Sequence, residues 1–418
     1  MRVAMISYHT CPLATLGGKD TGGMNVYVRD LTRELGRQGV GVDVFTRSQD
    51  EHVPHVLHEM GYGNRVVHIP SGPEIPLPKP DLVQYLPEFV ARIMDFASVK
   101  GIHYDVLHTH YWLSGLAGLD LQSQWNVPLI HMFHTLALVK RQVARRPEEE
   151  ESEVRIQGEL DLLRQANRIV AATENESAVF ESLYGVTRKD IAVIPPGVDT
   201  ARFYPIPHDE AFEFAEVPDE NQLILFVGRI EPLKGIDTLL NAMLLLRQRG
   251  LTSPDCRLCL IIIGGDPDEG EEGDSPEMQR LLQMACEYDM DGVIRFLGKK
   301  DQDTLPYYYS AAEVVVVPSH YESFGMVALE AMACGTPVIA SETGGLAYLV
   351  KNGETGFFVK AGDPAELADR LERILINNKL RETLAQNAVR YAHQFAWPAI
   401  AKQLVSLYTS EIETHRQA

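Results

Sequence analysis

The sequence predicts an α/β protein built from two doubly wound parallel-sheet domains. Three observations predict this. Short β-branched runs alternate with amphipathic helical segments along the whole chain. The runs are apolar at nearly every position, as strands covered on both faces require. They also fall into two successive series, and 418 residues are too many for one ordinary core. The expectation is therefore two Rossmann-like domains facing a central cleft.

In chain order, the first series of strands is RVAMIS (2–7), VDVFT (42–46), VVHIP (66–70), VLHTH (106–110), PLIHMFH (128–134), RIVAAT (168–173) and AVIPP (192–196). Helical patterns lie between them, such as MNVYVRDLTRELGRQG (24–39) and LPEFVARIMDFASV (86–99). The second series is LILFVG (223–228), LCLIIIGG (258–265), VIRFLG (293–298), VVVVPS (314–319) and PVIAS (337–341). The Pro-rich polar stretch IPPGVDTARFYPIPHDE (194–210) marks the join. The domains are assigned as 1–196 and 197–394. Trp397-Pro398 breaks the chain before a last helix, and 395–418 is expected to cross back to the first domain.

Composition narrows the function classes. The formal net charge of −20 argues against a nucleic-acid surface and against binding anionic membranes by bulk charge. No stretch is long and apolar enough to span a bilayer, and the first residues carry too short an apolar run for a signal peptide. Five scattered cysteines do not form a disulfide framework, which places the protein in a reducing cytoplasm. Cys256-x-x-Cys259 runs into an apolar strand with no second pair behind it, so these are read as core cysteines. The run RRPEEEESE (145–153) reads as a solvated segment.

Several motifs fall where an open α/β sheet receives ligands. GGKDTGGMN follows the first strand and precedes a helix, but it lacks the Gly-x-Gly-x-x-Gly spacing, and no acidic residue ends the second strand. A dinucleotide fingerprint is thus poorly matched, and a Gly-Gly pair alone can be only a turn. FVGRIEPLKG (226–235) sets Arg229 just past a strand end and Lys234 five residues on. A planar fork and a mobile point charge suit a diphosphate, and the same pair also fits two surface salt bridges. HYESFGMVALEAMACG (320–335) runs from a buried strand into a helix, whose first N–H groups favour an anion. Glu322 precedes that helix and Glu330 lies within it, two carboxylates that can accept hydrogen bonds from hydroxyls. Asp266-x-Asp268 mimics a metal motif, but such triplets arise by chance among 58 acids.

Glu322-Ser323-Phe324-Gly325 followed by Glu330 resembles the Glu-x7-Glu motif of retaining GT-B glycosyltransferases of family 4. GRIEPLKG, GTPVIA, GGL (344–346) and NGETGFFV (352–359) resemble other signatures of that family. The resemblance covers essentially the whole chain. It implies a UDP-sugar as donor substrate, with no cofactor and no metal required. Catalytic roles would fall to His134, Arg229, Lys234 and Glu322. The donor would be held by Gly23, Arg229, Lys234, Arg295, Ser323, Phe324, Gly325, Met326 and Glu330. Within that set Glu330 would hold the ribose, Glu322 a sugar hydroxyl, and the 323–326 backbone the sugar and phosphate.

The N-terminal segments TGGMNVYV, HTHYWLSG, PLIHMFHTLALVK and ESEVR resemble most those members that transfer N-acetylglucosamine to inositol phosphate. Members that make sucrose phosphate share much of the pattern. This resemblance assigns the acceptor to Asn25, Lys79, Tyr111, Thr135 and Arg155. The partners implied are a UDP-sugar and a small phosphorylated acceptor, with no nucleic acid and no stable membrane insertion, and a homodimer left open. His108, His110 and His131 are read as satisfied strand histidines, whereas His134 matches the family's active-site histidine. A lipid acceptor is a further alternative.

Overall fold

The computed structural model describes residues 1–15, 21–144, 151–187, 190–215, 222–251, 258–265, 275–290 and 292–417. The chain divides into two compact units. The first comprises Met1–Ala14, Gly23–Gly197 and Trp397–Ala418, and the second Thr15–Gly22 and Val198–Ala396.

In the first unit the strands are β1 (Arg2–Ile6), β2 (Gly41–Arg47), β3 (Val56–Leu57), β4 (Arg65–Ile69), β5 (Val106–His110), β6 (Leu129–Met132), β7 (Arg168–Ala171) and β8 (Ile191–Val193). Their spatial order is β3-β4-β2-β1-β5-β6-β7-β8. All pair in parallel except β3, which runs antiparallel to β4. Helices cover the sheet, and Val3–Ile6 of β1 are fully buried, which is why these strands tolerate no polar alternation. The chain builds outward from β1 to β4, then returns to β5 on the other side of β1. The loops after β1 and β5 therefore diverge, leaving a crevice at the carboxyl ends of the strands.

The second unit repeats the plan with β9 (Gln222–Val227), β10 (Leu258–Ile263), β11 (Ile294–Phe296), β12 (Val314–Val317), β13 (Val338–Ser341) and β14 (Gly356–Val359). The order is β11-β10-β9-β12-β13-β14, wholly parallel. Here the reversal of direction lies between β9 and β12, so the loops that follow these two strands flank the crevice.

The last helix, Trp397–Gln417, belongs to the first unit. Glu411 pairs with Arg168 on β7 at 2.9 Å, and Tyr408 Oη lies 2.6 Å from His108 Nδ1. Pro398 sits in its first turn, where a missing N–H costs nothing.

All twelve predicted strands are present, within three residues at their ends. Two strands escaped the sequence. β3 has only two residues and lies at the edge. β14 follows Asn352-Gly353-Glu354-Thr355, whose turn chemistry masks the short apolar run behind it. The acidic run near 150 needs correction as well. Glu151 is not merely solvated, for its carboxylate pairs with Lys140 and, at 2.9 Å, with Arg155. Cys259 is buried in β10, while Cys256, Gly17, Gly18, Asp266 and Asp268 lie outside the described residues. Among the described residues no helix is long and apolar enough to cross a membrane.

Candidate active site

In the second unit the crevice is lined by the loops after β9, β12 and β13. Arg229 leaves β9 and pairs with Glu231 at 2.7 Å. Lys234 closes a short 3₁₀ turn, Pro232–Lys234, and its Nζ lies 2.5 Å from Glu322 Oε2 in the loop after β12. The turn is anchored to that loop by the backbone, since His320 N–H donates to Leu233 O at 2.8 Å. Gly235 must be glycine. Its φ is +66°, and a Cβ would lie 2.2 Å from Pro318 O.

Gly325, at φ +103°, caps the helix Met326–Ala333. The free N–H groups of that first turn, from Met326 on, form an anion-favouring end. Phe324 is buried against Phe395, so only its backbone is available to a ligand. Ser323 shares the loop. Glu330 lies within the helix, buried, and accepts from Tyr309 Oη at 2.9 Å and from Gln302 Nε2 at 3.5 Å. The Gly344-Gly345 pair packs directly against this loop. Cβ atoms there would fall 2.1 Å from Glu322 O and 2.3 Å from Phe324 Cα. Gly345 N–H also donates to Glu322 O at 2.9 Å. Arg295 lies on β11, the sheet edge two strands from β9, and its charge acts on Cys259 of β10.

In the first unit four of the five residues that the sequence assigned to an acceptor gather around one aromatic ring. Tyr111 directly follows β5 with φ +73°. Arg155 Cζ lies 4.8 Å from its ring centroid and Lys79 Nζ 5.7 Å. Arg155 Nη2 donates to both Thr135 Oγ1 and Thr135 O at 3.0 Å. Lys79, Tyr111, Thr135 and Arg155, drawn from four segments, are thus brought together. Arg155 is itself buried and flanked by Glu159 at 2.8 Å and Glu151 at 2.9 Å. Burial opposes its charge, but Tyr111, Glu159 and Glu151 more than offset that and hold it protonated beyond its usual range.

His9 completes this group and was not singled out in the sequence. Its ring lies 4.5 Å from that of Tyr111, and its buried Nδ1 has no hydrogen-bond partner among the described residues. Burial, with Lys79 and Arg155 nearby, holds it neutral. The available signal was its place in the loop after β1, at the switch point. Asn25 is buried on the first helix, Gly23–Arg37, and spends its amide nitrogen on Thr10 Oγ1 and Cys11 O, each at 2.8 Å. It therefore fixes the loop that carries His9. Gly23 is the first residue of the same helix.

His134 follows β6 with φ +61°, an unusual conformation for a side-chain-bearing residue. Its Nε2 lies 3.0 Å from His110 Nδ1. The reading of three satisfied strand histidines is only half right. His108, His110 and His131 each use Nδ1, toward Tyr408, His134 and Thr109, while the Nε2 of each is buried without a partner. Strand periodicity puts His108 and His110 on one face, where no acceptor among the described residues reaches their far edges. Among the described residues no cluster of His, Cys, Asp or Glu is arranged to hold a metal ion.

Comparison with known proteins places the chain in a family. Residues 21–202 match the model of Glycosyltransferase Family 4, and residues 208–391 that of Glycosyl transferases group 1. A D-inositol 3-phosphate glycosyltransferase of Actinosynnema mirum is 39% identical over 100% of this chain and 99% of its own. A sucrose-phosphate synthase from Thermosynechococcus elongatus is 35% identical, with a TM-score of 0.89 over 99% of each chain. A structure of Anabaena HepE in complex with UDP and glucose, 21% identical, shares the fold at a TM-score of 0.75 over 98% of this chain and 100% of that one. The chain belongs to the glycosyltransferases of family 4 and has their GT-B fold, two parallel-sheet α/β units.

Proposed function

We infer that this chain is a retaining glycosyltransferase that moves a sugar from a UDP-sugar to a small phosphorylated acceptor, inositol phosphate first among them. The observation that carries this reading is the gathering of Lys79, Arg155, Thr135 and His9 around Tyr111. A chain of net charge −20 has no general field to attract an anion, so a site of this kind is built for one. The relative from Actinosynnema mirum, named for an inositol phosphate, supports the choice of acceptor.

On this reading the second unit holds the donor. Arg229 and Lys234 meet the diphosphate, the first turn of Met326–Ala333 adds N–H groups, Glu330 holds the ribose and Glu322 a sugar hydroxyl. As the bond from the sugar C1 to the UDP oxygen breaks, negative charge grows on that phosphate. Two cations aimed at growing charge stabilise the transition state more than the ground state. An acceptor hydroxyl oxygen attacks C1 from the same face, and its proton passes to the departing phosphate oxygen. Configuration is retained without a covalent intermediate.

The test is a matrix of UDP-N-acetylglucosamine and UDP-glucose against inositol phosphate, fructose 6-phosphate and the two free acceptors, followed by UDP release and product anomer. Transfer to inositol phosphate with retention is expected. A second reading, glucosyl transfer to fructose 6-phosphate, draws on the 35% identical sucrose-phosphate synthase and would show as a preference for that acceptor. Equal use of free and phosphorylated acceptors, or an inverted product, overturns the proposal.

A further inference from the structure

Four histidines of the first unit lie close together. His108, His110 and His131 are fully buried, and His134 is the partly exposed member. The rings of His110 and His134 are 5.1 Å apart, and His110 Nδ1 faces His134 Nε2 at 3.0 Å. Tyr27 packs edge-on against both, at 5.4 and 5.1 Å. Behind His110 stands His108 at 4.3 Å, itself tied to Tyr408 of the last helix. The pair is thus wedged from two sides.

We propose that His110 is a positioning residue that locks His134 into a single tautomer, with the proton on Nδ1. Burial keeps both rings neutral at pH 7, so one nitrogen of the facing pair must donate and the other accept. His110 Nε2 is buried with no partner among the described residues. A proton there would be an orphaned buried donor, which is rarer in folded proteins than an under-used acceptor. The proton of His110 therefore sits on Nδ1 and is donated to His134 Nε2. His134 Nε2 then carries none, and its own proton is on Nδ1, the ring edge turned from His110. The left-handed backbone at His134 holds the ring in this place, strain that only a tightly packed surround sustains.

The consequence deepens the transferase reading and rests on it. With Nε2 occupied and Nδ1 protonated, His134 offers the substrate a hydrogen-bond donor only. It can hold a sugar oxygen, but it cannot accept the proton of the attacking hydroxyl. The base must then be another group, in accord with proton transfer to the leaving phosphate.

The experiment uses the full-length enzyme labelled with [15N]histidine, without ligand, at pH 7. Ring 15N shifts separate a protonated nitrogen from a bare one, and His134→Gln assigns the His134 signals. The expected pattern is a protonated Nδ1 and a bare Nε2. In His110→Leu this pattern shifts toward the other tautomer, and kcat drops at least about tenfold while the acceptor KM changes less than about twofold. His110→Asn, whose amide nitrogen can stand in for Nδ1, restores both. A wild-type His134 with its proton on Nε2 overturns the lock whatever the variants do. So does an unchanged tautomer in His110→Leu, or a His110→Asn no better than the leucine variant. A shifted tautomer with unchanged kcat would instead remove His134 from the transfer step, leaving the lock standing.

Discussion

Lys234 Nζ and Glu322 Oε2 stand 2.5 Å apart, joining the loops after β9 and β12 across the switch point of the second unit. Both side chains are about one-fifth exposed, so the pair lies in reach of a ligand. The lysine is held by a carboxylate that the proposed reaction also needs, and neither group is an isolated surface charge.

Lys234→Ala is expected to cut kcat by roughly 30- to 1000-fold, the range for losing one charged contact to a developing anion. UDP-sugar affinity should fall much less, because the charge on the leaving phosphate is larger in the transition state. Steady-state kinetics beside equilibrium binding of UDP-sugar separates the two effects. Near wild-type turnover would take Lys234 out of the site.

Gly345→Ala is expected to disable the same loop from behind. The new Cβ would meet Ser323 O and Phe324 Cα at 2.3 Å, both backbone atoms that cannot swing aside. The loop carrying Glu322 must shift, and turnover should fall at least about tenfold with the circular dichroism spectrum unchanged. Gly101→Ala is the control. Its φ is +61° with nothing within 4 Å of the added Cβ, so it should lose about 1–2 kcal/mol of stability and keep normal kinetics.

The strands were legible because doubly buried strands must be apolar at each position, as in Val314–Val317. Arg229, Lys234 and Glu322 were legible because strand ends at a switch point are where ligands bind. The pairing of Lys234 with Glu322, 88 residues away, was not, for nothing local in the sequence encodes it. Nor was Tyr408 against His108, 300 residues apart. The setting of Arg155 was readable in part. Arg155 and Glu159 stand four residues apart, the spacing of neighbours on one helix face, and Glu151 lies just ahead of that helix. What the spacing could not tell is that this face is buried, which turns a surface ladder into an internal ion network.

The buried histidines predict an acid-sensitive first unit. Burial holds His108 at about 3, and His110 and His131 well below their ordinary value of 6.5. Below pH 6.5 the unfolded chain binds protons at these rings while the folded chain does not. Stability is therefore fully present above about pH 6.5 and is lost as pH falls toward 3, by up to ~1.4 kcal/mol per pH unit for each ring. All three tryptophans, Trp112, Trp125 and Trp397, lie in the first unit, so their fluorescence in urea titrations follows that unit alone. His108→Gln should flatten the slope between pH 6 and 4 by about one proton. An unchanged slope would mean that His108 is protonated in the folded state.

The two cations beside Tyr111 should answer differently to mutation. Arg155 is 3% exposed and Glu159 not at all. Arg155→Ala would leave that carboxylate buried without its partner, at a cost of about 3–5 kcal/mol in stability. A raised acceptor KM in this variant would thus mix lost binding with a loosened fold. Lys79 gives the cleaner measurement. It is partly exposed, at the start of the 3₁₀ segment Lys79–Tyr85, and its Nζ lies 5.7 Å from the centroid of the Tyr111 ring. Lys79→Ala should leave the melting temperature nearly unchanged. If the lysine grips the acceptor phosphate, the variant should raise the KM for the phosphorylated acceptor about 10- to 100-fold, the worth of one charge-assisted hydrogen bond. The UDP-sugar KM and the weak use of the free acceptor should not move, since neither draws on that charge. A Lys79→Ala enzyme that still prefers the phosphorylated acceptor as strongly as wild type would place the phosphate elsewhere. Equal losses with free and phosphorylated acceptors would show that Lys79 binds the ring and not the anion.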